Sequence, residues 1–167
     1  MTMTKKRLHS GKLRNMASVY LRRGNQLLLL FRQGNSIVSN LWIGSAGGHF
    51  ESDEVNDAKK CVLRELYEEL SLDECVLDNL TLRYVTLRYT TGELRQNYYF
   101  IADLKTCTDN FPSSEGVTQW FDINQLEELP MPFTARYMLE HYISIGQYDN
   151  ELYGGVANEN GISFIKL

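Results

Sequence analysis

The sequence predicts a single α/β or α+β domain in which helices pack on a mixed β-sheet. Several short segments are rich in leucine, β-branched and aromatic residues, as strands are, and two longer segments repeat apolar residues with the period of a helix. The connections between these segments are short and contain no low-complexity linker, which favours one domain over several. We expect residues 16–167 to form this domain and residues 1–15 to form a basic, flexible tail.

The strands are predicted from apolar runs bounded by turn residues. Residues 16–22 and 26–32 flank an Arg-Gly-Asn turn, which is typical of a hairpin. The second of them, QLLLLFR, is apolar on both faces, and this favours a central position in the sheet. The remaining predicted strands are a long two-stranded ribbon over residues 80–104 that turns at residues 91–92, a short strand at 117–123, and a last strand at 162–167.

Two helices are predicted after this ribbon, in addition to the acidic helix described below. Asp122 and Gln125 have the spacing of a capping box and predict a short helix over residues 123–129. Over residues 133–146 the apolar residues recur with the period of a helix, which predicts an amphipathic helix. Gly146 is predicted to end it. These elements complete a pattern of strands and helices intermixed along the chain.

Composition and charge argue against several classes of function. The net charge of −4 and the isoelectric point near 5.4 provide no general attraction for nucleic acid or for anionic membranes. No apolar run approaches the roughly 20 residues that a membrane-spanning helix needs. Three cysteines without zinc-binding spacing, and no signal peptide, predict reduced thiols in a cytoplasmic protein. The basic tail could bind phosphate or RNA, although a solvated tail is the simpler interpretation.

The segment RELYEEL gathers carboxylates on one side of a predicted helix. Val62, Leu63, Leu66 and Leu70 cover one arc of that helix, and three glutamates cover the opposite arc: Glu65, Glu68 and Glu69. Like charges three and four residues apart repel one another on a helix. We therefore expect the helix to pack through its apolar arc and to show all three carboxylates outward. A solvated face is one interpretation of this arrangement, since Arg64 can pair with Glu68.

A glycine-rich segment, GSAGGHFE, precedes this helix and changes the interpretation. Glycines such as Gly47 and Gly48 let the backbone approach a ligand closely and present its carbonyl oxygens. Carbonyl and carboxylate oxygens, completed by water and phosphate, are the ligands that Mg²⁺ or Mn²⁺ prefers. The combination predicts that a divalent cation, bound beside the helix, balances the acidic cluster.

These residues resemble the signature of the Nudix hydrolase family, G-x5-E-x7-R-E-U-x-E-E-x-G-U with U aliphatic. Residues 48–72 supply Gly48, Glu54, the run RELYEEL and Leu72, and the flanking segments WIGSAGGHFE and SSEGVTQWF are similar to family members as well. Two positions depart from the pattern. Nine residues instead of seven separate Glu54 from Arg64, which leaves open whether Glu51, Asp53 or Glu54 is the first glutamate, and Ser71 replaces the glycine expected at the helix end.

The resemblance implies an α/β/α sandwich and a hydrolase that cleaves a pyrophosphate bond in a nucleoside diphosphate linked to another group. It implies Mg²⁺, or Mn²⁺, held by the Gly47 carbonyl and by Glu65, Glu68 and Glu69, with Arg64 orienting the glutamates. Glu68 or Glu115 would be the general base, and a further metal ligand is the alternative role for Glu115. Arg32, Gly48 and His49 would contact substrate, and Arg88 and Arg95 beside the tyrosine-rich ribbon are further candidates for holding phosphate.

The substrate is left open by these residues. A nucleoside triphosphate, for example an oxidised one resembling 8-oxo-dGTP, cleaved to monophosphate and pyrophosphate, is the leading expectation from the resemblance. Nucleotide sugars, dinucleoside polyphosphates and isoprenoid diphosphates are alternatives. A non-catalytic module that senses nucleotides is a different class of function, but such modules typically lose the glutamates that this chain keeps. A homodimer is also compatible with the resemblance.

Overall fold

Nine β-strands and two α-helices form the fold of the residues that the computed structural model describes, 11–33 and 40–167. The elements in chain order are β1 Lys12–Arg23, β2 Gln26–Arg32, β3 Leu41–Ile43, β4 Ala46–His49, α1 Ala58–Leu70, β5 Leu77–Thr90, β6 Glu93–Leu104, β7 Gly116–Asp122, α2 Phe133–Ser144, β8 Tyr153–Asn158 and β9 Gly161–Lys166. The strands follow the order β3-β2-β1-β6-β5-β8-β9, while β4 pairs with β1 and β7 pairs with β2. Two strand pairs are parallel, β1 with β6 and β5 with β8, so the sheet is mixed as predicted.

Both predicted hairpins are confirmed, together with the residues at their turns. Gly24 has a φ of 57° between β1 and β2, and Thr91 and Gly92 have φ values of 50° and 80° between β5 and β6. Positive φ at both central residues of the β5–β6 turn matches the right-handed twist of the flanking strands. Strand β2 is paired along both edges, with β1 and β3 at opposite ends and with β7 along its length, which explains its apolar sequence.

The helices cover opposite faces of the sheet and produce the α/β/α sandwich. One core cluster joins α1, through Val62, Leu66 and Leu70, to Val19 and Leu21 of β1. The other cluster joins α2 to the alternate residues of the same strands, such as Tyr20. Because side chains on a strand alternate between faces, one strand contributes to both cores.

Several element boundaries differ from the sequence predictions. Strand β1 begins at Lys12, four residues before the predicted start of the domain, because residues 12–15 continue the parallel pairing with β6. The predicted helix after Asp122 is only a 3₁₀ turn over Ile123–Gln125. Strand β8 and the short strands β3 and β4 were not predicted. The first ten residues of the basic tail lie outside the described residues. In the part of the chain that the structure describes, no helix is both long and apolar enough to cross a membrane.

Candidate active site

A cavity of about 400 Å³ brings together nine of the residues that the sequence suggested for the site, whereas Arg88 and Arg95 lie outside its lining. It lies where the end of β2, the strand β4, the helix α1 and the loop before β7 meet. Its lining consists of Arg32, Gly47, Gly48, His49, Arg64, Glu65, Glu68, Glu69 and Glu115, together with Glu51 and Ser114. Residues up to 83 positions apart in sequence therefore share one surface, which only the sheet topology can produce.

The Arg64 guanidinium is the centre of the hydrogen-bond network at this site. Its Nη1 donates to Glu65 at 2.8 Å and to Glu68 at 3.0 Å. Its Nη2 donates to the carbonyl oxygen of His49 at 3.1 Å, which ties α1 to the end of β4. A further hydrogen bond from the guanidinium to Glu54, and then the bond to Glu65, raise the pKa of Arg64. The arginine therefore fixes the positions of two of the three predicted metal ligands.

The sequence left open whether Glu51, Asp53 or Glu54 is the first glutamate of the signature, and the structure shows that Glu54 is the one that pairs with Arg64. Arg64 donates to both oxygens of Glu54, from Nε at 2.8 Å and from Nη2 at 3.0 Å, and the Glu54 side chain is only 1% exposed. Glu51 lies 4.0 Å from the same guanidinium and is 64% exposed, whereas Asp53 pairs with Lys60. The bond from Arg64 outweighs the effect of burial and lowers the pKa of Glu54 to about 2.

The two extra residues in the signature are absorbed by the loop before α1. Asp57 caps the helix, since its side chain accepts a hydrogen bond from the Lys60 amide at 2.9 Å. Ser71 ends the helix in the left-handed conformation, with φ of 54° and ψ of 36°, and its amide donates to Tyr67. Serine thus occupies a backbone position that favours glycine, as the signature indicated.

The carboxylates of α1 do not all face solvent, so the prediction of an outward acidic stripe is wrong. Glu68 is 55% exposed, but the Glu65 side chain is 13% exposed and Glu69 is 7% exposed. Both Glu65 and Glu69 lie against β4, where Glu69 accepts a hydrogen bond from the Gly47 amide at 2.9 Å. Burial raises the pKa of Glu65 and, more strongly, raises the pKa of Glu69 to about 7. Sequence periodicity missed this because β4 folds back over that side of the helix.

The glycine pair allows α1 to approach the sheet so closely. A Cβ atom on Gly48 would lie 2.2 Å from Oε1 of Glu65, and one on Gly47 would lie 2.5 Å from the carbonyl oxygen of Ala17. No side chain fits at either position without displacing its neighbours. The glycines are therefore required by the space between the helix and β1.

Arg32 and His49 are placed beside the cavity and held by other side chains. Arg32 donates from Nη2 and Nε to Oε2 of Glu115, at 2.8 Å and 3.2 Å. His49 accepts a hydrogen bond from Arg14 at 2.7 Å. Burial, and then the charge of Arg14, lowers the pKa of His49, which favours the neutral imidazole. Arg14 was not predicted as a site residue, because it lies in the segment expected to form the basic tail.

The chemistry of the donor set fits a divalent cation, although its geometry is not that of a preformed metal cluster. Among the described residues, no three histidine, cysteine or acidic side chains are arranged so that they could hold one ion. Within residues 11–33 and 40–167, Arg64 is the one cation that donates to Glu65 and Glu68, and the buried Glu69 accepts only from a backbone amide. The negative charge of the three carboxylates is therefore only partly balanced, and a bound cation would balance the rest. The residues that could contribute ligands are Glu65, Glu68, Glu69 and the Gly47 carbonyl.

Comparisons with known proteins agree with this fold and show the family. The model of the NUDIX domain family matches residues 12–142, which includes the whole cavity lining. No curated protein matches the sequence significantly. A NUDIX hydrolase from Nitrosomonas europaea superposes with a TM-score of 0.71 at 18% identity, over 90% of this chain and 82% of that one.

Two further solved structures show the same fold. A mutator MutT protein from Bacillus halodurans gives a TM-score of 0.61 at 18% identity, over 92% of this chain and 97% of its own. An Ap4A hydrolase of C. elegans gives 0.62 at 17% identity, over 81% of this chain and 99% of its own. At these identities the structures support the fold, and the match of the family model carries the relationship.

Proposed function

Because this chain belongs to the NUDIX domain family and is a hydrolase of pyrophosphate bonds, we propose that it is a Mg²⁺-dependent pyrophosphohydrolase of a nucleoside diphosphate linked to a further group. The observation that carries the proposal is the network in which Arg64 holds Glu54, Glu65 and Glu68 beside the buried Glu69. Three carboxylates at one cavity wall, those of Glu65, Glu68 and Glu69, are suited to hold a divalent cation and the phosphates it binds.

The metal, once bound, would supply charge neutralisation of the phosphate oxygens and a lowered pKa for the attacking water. Glu65, Glu68, Glu69 and the Gly47 carbonyl would hold it. Arg64 keeps the glutamates in place through the buried pair with Glu54, so little reorganisation is needed at the moment of reaction. Positioning and charge stabilisation are the main contributions a protein makes to phosphoryl transfer.

Glu68 is the better candidate for the general base. It is the most exposed of the three helix glutamates, so water and substrate can reach it. Glu115 lies across the same cavity but is held by Arg32, which suits it to positioning that arginine against a phosphate oxygen. His49 and Gly48, at the end of β4, line the same cavity and would contact the phosphates there.

A nucleoside triphosphate, including an oxidised one, is the leading substrate, cleaved to monophosphate and pyrophosphate. The structural neighbours include a MutT protein and an Ap4A hydrolase, so dinucleoside polyphosphates belong in the same test. We also propose action in the cytoplasm, consistent with the three free cysteines. A homodimer stays a prediction.

The proposal is tested by a panel of nucleoside triphosphates, dinucleoside polyphosphates and nucleotide sugars, assayed for released phosphate and pyrophosphate with Mg²⁺, Mn²⁺ or EDTA. Glu68→Gln should lower kcat by about 10³-fold or more while circular dichroism stays unchanged. Glu140→Gln, an exposed glutamate on α2, is the matched control and should retain full activity. Full activity of Glu68→Gln would refute the assignment, and no turnover with either metal would favour a nucleotide-binding module.

A further inference from the structure

Three arginines lie side by side on the face of the sheet that α2 covers. Arg14 of β1 is the parallel partner of Arg95 in β6, and Arg95 is the antiparallel partner of Arg88 in β5. Residues directly opposite one another in a sheet point to the same face, and like charges in such positions destabilise it. We call Arg14, Arg95 and Arg88 the arginine row. Because adjacent like charges do not stabilise a sheet, the arginine row is better explained as a site for an anionic ligand.

The arginine row is only partly neutralised by carboxylates. Glu93 accepts from Arg14 at 3.2 Å and from Arg95 at 3.4 Å, so one acid serves two guanidiniums. In the residues that the structure describes, Arg88 forms no salt bridge, and its guanidinium lies 4.1 Å from the ring centroid of Phe133. This stacking fixes the plane of the group and leaves its N–H edge available.

The arginine row borders the candidate active site. Arg88 and Arg95 line a pocket of about 140 Å³ between the sheet and the start of α2, and this pocket shares Arg32 and Gly47 with the active-site cavity. Arg14 reaches the same region through its hydrogen bond to His49. Among the described residues around this junction, the three guanidiniums of the arginine row have one paired acid, Glu93, while Arg32 pairs with Glu115. A phosphate group would supply negative charge that the row lacks.

We propose that the arginine row and Arg32 bind a phosphate group that the substrate carries beyond the diphosphate that is hydrolysed. The inference rests on the proposed function, in that the hydrolysed diphosphate lies against the α1 glutamates. From there Arg32 leads to Arg95 and Arg88 along one continuous surface. Planar guanidiniums recognise phosphate with two hydrogen bonds each, and a half-buried pocket screens them less than open solvent would. A substrate with two phosphates only would leave this charge unused.

Two kinds of substrate would supply such a phosphate. It could continue the same chain, as in a nucleoside tri- or tetraphosphate, or it could be attached to the sugar of the nucleotide. Inorganic tripolyphosphate and pyrophosphate probe the first source. Adenosine 3′,5′-bisphosphate and adenosine 5′-monophosphate probe the second, because they differ only in the 3′-phosphate.

The test measures binding by isothermal titration in EDTA at low ionic strength, so that neither metal nor turnover is involved. Arg88→Gln and Arg95→Gln should each weaken binding of tripolyphosphate, or of the bisphosphate, by about tenfold, and should change binding of pyrophosphate or the monophosphate less than about twofold. Arg23→Gln is the matched control. Arg23 is also stacked on an aromatic ring, 4.3 Å from the Trp120 centroid, but lies outside both cavities.

The outcomes separate this inference from the proposed function. Loss of tripolyphosphate binding alone assigns the extended chain, and loss of bisphosphate binding alone assigns the sugar phosphate. Equal binding by Arg88→Gln, Arg95→Gln and the wild-type protein overturns the inference, as does a wild-type protein that prefers neither longer probe. Either result leaves Mg²⁺-dependent hydrolysis intact if it is observed. Absence of any hydrolysis, with arginine-dependent binding retained, would instead refute the proposed function alone.

Discussion

Replacement of Glu69 by glutamine should stabilise the metal-free protein at alkaline pH. Glu69 is 7% exposed and has the Gly47 amide as its hydrogen-bond donor, so its ionised form is poorly compensated without a cation. Glutamine keeps the shape and an oxygen that accepts the same bond, and it removes the charge. The variant therefore mimics the protonated acid at every pH.

The size of the effect follows from the pKa of Glu69, which burial raises from 4.5 to about 7. At about 1.36 kcal/mol for each unit of pKa, the ionised side chain makes the free energy of unfolding lower by about 3 kcal/mol. Because the folded pKa is the higher one, wild-type stability is complete below pH 4.5 and declines as the pH rises through 7. The variant should match the wild type at pH 4 and exceed it at pH 9.

Urea denaturation in EDTA at a series of pH values measures this difference. Glu68→Gln is the control, since Glu68 is 55% exposed and its replacement should change stability by less than about 1 kcal/mol at any pH. A Glu69→Gln variant that is less stable than the wild type at pH 9, or a difference that does not vary with pH, would refute the reasoning. Mg²⁺ should reverse the order, because it stabilises a folded protein that binds it and the variant lacks one ligand.

Three further substitutions test the supporting structure. Glu54→Gln should lower the free energy of unfolding by about 3 kcal/mol at pH 7, since the Arg64 bond lowers the pKa of Glu54 from 4.5 to about 2. That loss should shrink as the pH falls from 4.5 to 2 in urea denaturation, and a constant loss would contradict it. Ser71→Gly should raise the melting temperature through about 0.5–1 kcal/mol of relieved backbone strain, whereas Ser71→Ala should not. Gly48→Ala should raise the Mg²⁺ concentration for half-maximal activity about tenfold by displacing Glu65, and an unchanged concentration would contradict the steric reasoning.

Local sequence signals predicted the elements that depend on neighbouring residues. The turns at Gly24 and Gly92 require positive φ, which glycine favours, and the apolar stripe of α1 follows from helical period. Both could therefore be predicted from the local sequence. The end of α1 at Ser71 was predicted for the same reason, since the signature expects glycine there. The short helix after Asp122 was wrong because a capping signal does not determine how many turns follow it.

The burial of individual side chains and the pairing of distant strands could not be predicted from the local sequence. Whether Glu69 faces water or a strand depends on where β4 lies, and whether Glu51, Asp53 or Glu54 meets Arg64 depends on the path of the preceding loop. Arg14 looked like part of a tail because nothing near it in sequence shows that its partner strand is β6. Each of these contacts joins segments that are distant in the chain.

The sequence by itself determined the family, the acidic helix and the glycine pair, because each is a pattern of residue types within about 25 positions. Only the tertiary structure decided which acid is buried, which charge balances it, and that Arg14, Arg95 and Arg88 stand in one row. The physical reason is that charge interactions depend on distance and burial, and strands far apart in sequence set both.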